Sequence, residues 1–152
     1  MTRIQTQIKI DAPVNTVFEY YTNPDTIKES WPRDIVKASE NVSGQKSEEG
    51  SEMKVKGEYM GKQDEMILEI VKKEQDKRLV TKQTEGPFHE WESTQDFQSN
   101  GNFSTKVNHT INYKLTTIGK ISNFLTGGQA ENKIREGVYR ADLTGKQKLE
   151  SR

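Results

Sequence analysis

The sequence predicts an α+β fold: a seven-stranded antiparallel sheet, two short helices after the first strand, and a long C-terminal helix. Three observations carry this. Apolar residues alternate with period two over Arg3–Ile10 and over most of the stretch from Asp34 to Leu115, as half-buried strands require. Two prolines, Pro13 and Pro24, open short helical patterns between those regions. From about Ile118 onward, apolar and small residues recur at three- and four-residue steps, the period of a helix. The 152 residues are expected to form one domain, residues 1–152, around a single core.

In the first strand Ile4, Thr6, Ile8 and Ile10 face one way and Arg3, Gln5, Gln7 and Lys9 the other. Pro13 suits a first helical turn, where its missing N–H has no helical partner. Val14, Val17, Phe18 and Tyr21 then fall on one helix face. Asn23 caps a second helix that starts at Pro24, and Ser30-Trp31-Pro32 stops it, because a residue before proline avoids helical geometry.

The β region supplies six more strands as consecutive hairpins. Met53, Val55, Gly57 and Tyr59 share a face, and Gly61 marks a tight connection. Met66, Leu68 and Ile70 follow, with Ile67 and Val71 on the reverse side. Lys77 to Thr84 form a strand whose buried face the pattern leaves open. His89, Trp91, Ser93, Gln95 and Phe97 alternate inward on the next strand. Phe103, Thr105, Val107, His109, Ile111, Tyr113 and Leu115 do so on the last. A three-residue loop with a left-handed Gly101 would oppose Phe97 to Phe103, Trp91 to His109 and Ser93 to Val107.

Ile118, Ile121, Phe124 and Leu125 begin the final helix. Its stripe continues through Gly127, Ala130, Ile134, Gly137, Val138, Ala141 and Gly145, with a polar tail beyond. Glycine inside a helix costs about 1 kcal/mol relative to alanine. So many small residues on one stripe imply either close approach to a neighbour or space left beside the helix.

Composition narrows the function. Lys+Arg and Asp+Glu are both 23, a balance that argues against a nucleic-acid partner. Cysteine is absent, so neither a disulfide framework nor thiolate chemistry is expected. No stretch could span a bilayer, and the start of the chain lacks an apolar signal region, so stable membrane insertion is not expected and a cytoplasmic location is. With 30% hydrophobic residues and a mean hydropathy of −0.95, the chain is expected to carry a large solvated sheet face over a modest core.

The stretch IKIDAPVNTVFEYYTNPDTIKESWP, with its Ala12-Pro13, Val17-Phe18, Asn23-Pro24 and Trp31-Pro32 pairs, resembles the entry signature of the START and birch-pollen-allergen (SRPBCC) superfamily, within it the polyketide cyclase/dehydrase and lipid-transport group. The order of elements is similar over essentially the whole chain. The resemblance implies a helix-grip fold, in which a curved sheet wraps around the C-terminal helix and the two short helices close one end of the groove. It also implies a cavity between sheet and helix for a small hydrophobic or amphipathic molecule.

Candidate ligand-binding residues are Tyr59, Leu68, Trp91, Ser93, Gln95, His109, Tyr113, Ile134 and Val138. They offer the mix expected of a pocket: a mostly apolar wall with a few placed polar groups. His89 and His109 share the inward face, but no cysteine or close acidic residue is expected there, so a pair of half-buried histidines is favoured over a metal site. No cofactor motif is present. The favoured function is binding or transport without catalysis, by a monomer or weak homodimer. A cyclase/dehydratase-type enzyme using His109 or His89 with Tyr113 for proton transfer is the second reading. A co-chaperone-like interaction module is the third.

Overall fold

The alternation of Ile4, Thr6, Ile8 and Ile10 becomes strand β1 (Thr2–Ile10). A computed structural model describes residues 1–32, 36–41, 48–59, 62–125 and 127–151; the side chains of Pro24, Ile27, Lys28, Asn41, Tyr59, Ser122 and Leu125 lie outside the description. Helices α1 (Val14–Thr22) and α2 (Pro24–Ser30) follow β1. Pro13 stands one position earlier than expected, as the extended N-cap of α1. Asn23 works on both sides of the break. Its N–H bonds the Tyr20 carbonyl to close α1, and its side chain accepts the Asp25 N–H at 3.0 Å to open α2.

Six strands then follow: β2 (Val36–Asn41), β3 (Glu52–Tyr59), β4 (Lys62–Glu74), β5 (Arg78–Glu85), β6 (Phe88–Ser99) and β7 (Thr105–Leu115). All pairings are antiparallel, in the order β1-β7-β6-β5-β4-β3-β2. This is the helix-grip fold. Gly61, read as a tight connection, lies outside the described residues. The outer sheet face carries the polar composition in cross-strand pairs such as Arg78–Asp96, Lys82–Glu92 and Gln7–Asn108.

Three expectations are corrected. The β6–β7 connection is a five-residue loop, Asn100 to Ser104, closed by the Asn100 N–H on the Ser104 carbonyl, with Gly101 at φ +86°. Phe97 therefore faces Val107, Trp91 faces Tyr113 and Ser93 faces Ile111. The shift is by an even number of residues, so every face is preserved while Phe103 moves into solvent, 77% exposed. Next, His89 is exposed rather than inward. Phe88 and Trp91 lie three apart yet stack at 4.8 Å, and a bulge between Phe88 and Glu90 supplies the odd residue.

Lastly, the C-terminal helix is two helices, α3 (Thr117–Leu125) and α4 (Ala130–Glu150). Gly127 and Gly128 separate them at φ +76° and +75°, a left-handed pair that glycine adopts without a Cβ clash. Asn123 caps α4, accepting the Ala130 N–H at 2.9 Å. The polar tail is helical to Glu150, anchored by the buried Leu149 and by Glu150, which accepts the Asp11 N–H.

Gly145 resolves part of the small-residue stripe. A Cβ there would lie 2.9 Å from Cε1 of Tyr20, so α4 is drawn close against α1. Ala130 and Ala141 instead face the space between helix and sheet.

Candidate functional site

The inward sheet face is banded. At one end Ile4, Met53, Val55, Met66, Leu68, Phe88, Ile111, Tyr113 and Val138 form an apolar cluster with Trp91 and Ile134 packed on it. At the other, Ile10, Val17, Phe18, Tyr20, Phe97, Val107 and Leu149 form a second, with Phe18 and Phe97 edge to face at 5.1 Å. Between them runs a polar belt dictated by register: Thr6 on β1 faces His109 on β7, which faces Gln95 on β6, and Ser93 is two residues further along. The belt is simply the polar positions of three strands that otherwise alternate apolar residues inward.

Helix α4 completes the belt. Asp142, 4% exposed, receives the Tyr21 hydroxyl on Oδ1 at 2.9 Å and the Thr6 hydroxyl on Oδ2 at 3.4 Å. An acidic group beside His109 was not expected, and this is a correction. Oδ2 of Asp142 lies 4.0 Å from Nδ1 of His109. Nε2 of His109 is 2.8 Å from Oγ of Ser93. Nδ1 has no hydrogen-bond partner among the described residues, and His109 is 7% exposed.

Burial sets the charges. It lowers the imidazole of His109 to about 4 and raises the carboxyl of Asp142 to about 6, the Tyr21 and Thr6 hydroxyls opposing that rise. Burial, then the Asp142 charge, pushes the Tyr21 phenol well up. Near neutral pH a carboxylate thus faces a neutral imidazole across a gap too wide for a hydrogen bond. The carboxylate favours the ring proton on Nδ1, leaving Nε2 to accept from Ser93.

Ser93, His109 and Asp142 are the residue types of a nucleophilic triad, but Ser93 sits mid-strand with neighbours paired on both sides. Its backbone N–H is committed to the sheet and supplies no oxyanion site. What the arrangement offers is a neutral imidazole and a carboxylate, side by side, on two residues that line a cavity.

That cavity, between sheet and α4, encloses about 300 Å³. Leu68, Trp91, Ser93, Gln95, His109 and Ile134 line it, together with Trp31, Met53, Val55, Met66 and Asp142. The exposed Lys133, Glu136 and Arg140 of α4 give it a charged rim. Tyr113 and Val138 are not on the lining; Tyr113 backs Phe88 and Trp91, and Val138 is buried in the apolar cluster. The side chain of Tyr59 lies outside the described residues. Among the described residues, no group of three or more histidine and acidic side chains could hold a metal ion, and no helix is long and apolar enough to cross a membrane.

Comparison with known proteins places the chain. The profile of the activator of Hsp90 ATPase homolog 1-like protein family matches residues 11–141. The chain belongs to this family. The solved structures like it share its fold across nearly their whole length. A protein from Thermus thermophilus is 21% identical with a TM-score of 0.80, covering 97% of both chains. A START superfamily protein from Mycobacterium smegmatis is 15% identical, TM-score 0.72, covering 98% of this chain and 97% of its own. Major latex-like protein 151 from Panax ginseng is 13% identical, TM-score 0.72, covering 97% of both. No curated protein matches the chain in sequence. The START and birch-pollen-allergen resemblance is thereby confirmed for the fold of this family member.

Proposed function

We propose that this family member binds a small, mainly apolar molecule in the cavity between the sheet and α4, as a cytoplasmic carrier or sensor rather than a catalyst. The observation that carries this reading is the cavity itself: about 300 Å³ walled by Met53, Val55, Met66, Leu68, Phe88 and Trp91, with polar groups gathered on one belt. Two methionines in the wall suit a site that adapts to its occupant. Native mass spectrometry of freshly purified protein tests it. A retained small molecule, released on denaturation, is the expected result. A bare polypeptide mass, together with no thermal shift from any apolar probe, counts against it.

A second reading, a protein-interaction module, draws on one surface. Helix α3 turns Ile118, Ile121 and Phe124 outward, 81%, 58% and 82% exposed. Helical periodicity alone places these residues on a buried face, so their exposure is a further correction. A family described by Hsp90 ATPase activation makes the direct assay clear. Purified Hsp90 should hydrolyse ATP faster with this protein added if the module reading holds, and at an unchanged rate if it does not.

A further inference from the structure

The polar belt has a shape that the apolar walls do not explain. Oδ2 of Asp142 and Nδ1 of His109 are 4.0 Å apart, both residues line the cavity, and Nδ1 is a buried polar atom without a partner among the described residues. Nδ1 is closed to solvent, so a ligand atom reaches it through a small parting of ring and carboxylate; about 2.9 Å from each, it would close the triangle with ordinary hydrogen bonds. That atom must accept at Nδ1–H and donate to the carboxylate.

We propose that Asp142 and His109 form a recognition point for a hydroxyl group on an otherwise apolar ligand, the hydroxyl oxygen accepting from Nδ1–H of His109 and its proton donated to Oδ2 of Asp142. The proposal rests on the cavity-binding reading above and names the head group that the site selects. Ser93 holds the far side of the imidazole through Nε2, and Tyr21 and Thr6 hold the carboxylate. Both partners are therefore anchored by these bonds before a ligand arrives, which limits the ordering cost of binding. The apolar wall on one side of the belt, formed by Met53, Val55, Met66, Leu68 and Phe88, receives the rest of the molecule.

Other head groups fit less well. A carboxylate ligand meets the Asp142 carboxylate in a buried setting, where like charges are costly. An ammonium pairs with Asp142 but presents only donors to Nδ1–H. An ether accepts from Nδ1–H and leaves the carboxylate without its donor. A hydroxyl satisfies both groups, as solvent would, so displacing solvent forfeits no hydrogen bond.

The test uses naphthalene-ring probes of matched size in isothermal titration of the full chain at about pH 7.5. 2-Naphthol is compared with 2-methoxynaphthalene, 2-naphthoate and 1-naphthylmethylamine. The hydroxyl probe is expected to bind roughly tenfold tighter than the methyl ether, the scale of a lost bond to a charged group. In Asp142→Asn and His109→Phe that preference should shrink to about twofold or less while ether binding persists. The wild-type comparison stands alone if either variant fails to fold. Equal binding of naphthol and ether, or tightest binding of the carboxylate or the ammonium, overturns hydroxyl recognition and leaves apolar binding intact. Binding of none of the rings, the ether included, removes the cavity reading and this proposal with it.

Discussion

Nδ1 of His109 and Oδ2 of Asp142 face each other across 4.0 Å at the junction of β7 and α4, and burial moves their proton affinities in opposite directions. For His109, lowered from 6.5 to about 4, the stability contribution is full above 6.5 and is lost as pH falls toward 4. For Asp142, raised from 3.8 to about 6, the contribution is full below 3.8 and is lost as pH rises through 6. The two slopes oppose each other between about pH 4 and 6.

Asp142→Asn should expose the histidine slope alone. Taking Asp142 from 3.8 to about 6 withholds about 3 kcal/mol of folding free energy above pH 6. The amide avoids that penalty and keeps an oxygen for Tyr21. The variant should gain up to about 3 kcal/mol at pH 7.5 and then lose stability on acidification more steeply than wild type. Urea denaturation across the pH range measures both. A variant weaker than wild type at pH 7.5 contradicts the assignment.

Gly145→Ala should be destabilising despite its better helix propensity. The new methyl would press on Cε1 of a buried Tyr20 at 2.9 Å. A propensity gain of about 1 kcal/mol is set against overpacking of typically about 1–3 kcal/mol. Thermal melts should show a net loss, and Tyr20→Leu in the same chain should recover part of it. A melting temperature raised by the alanine alone would mean that α4 has room to move off α1.

Trp91 should be shielded and report on the cavity. It is packed between Phe88 and Tyr113, with ring centroids at 4.8 and 6.2 Å. In a Trp31→Phe background, acrylamide should quench its fluorescence several-fold less than in urea, and 2-methoxynaphthalene should change the emission. Quenching equal to the denatured control refutes the inward placement.

Ile118→Ser and Phe124→Ser should leave folding nearly untouched, within about 0.5 kcal/mol, because both side chains are largely in solvent. Cavity binding of the naphthyl probes should be unchanged. A large fall in stability would show that the outer face of α3 is packed in solution.

The strands and helix starts were legible because they obey simple periods: Ile4 to Ile10, Met53 to Gly57 and Val107 to Tyr113 each bury alternate residues. The bulge at His89 was not, since it arises from the mutual demand of Phe88 and Trp91 to be buried, which a fixed alternation conceals. The division at Gly127 and Gly128 was hidden by reading Gly127 as part of a stripe, when two adjacent glycines also permit consecutive left-handed residues. Asp142 was passed over as one charge among many on a polar helix. Its position held the clue: Val138, Asp142, Gly145 and Leu149 fall on one face, so a carboxylate there had to be buried.

The neighbouring places of β1 and β7 also bear on how the chain is made. Ile4 pairs with Ile111, and Lys146 on α4 reaches back to the Lys9 carbonyl. The hairpins from β2 to β7 can close as they emerge, but the first strand must wait for about a hundred further residues, on the order of 5–20 s of synthesis. During that wait its isoleucines have no native partner, and β6, the last strand made, presents an open edge of the kind that recruits stray strands. A ribosome-bound chain stopped before β7 should therefore bind chaperones through its first ten residues, and release them once α4 has cleared the exit tunnel.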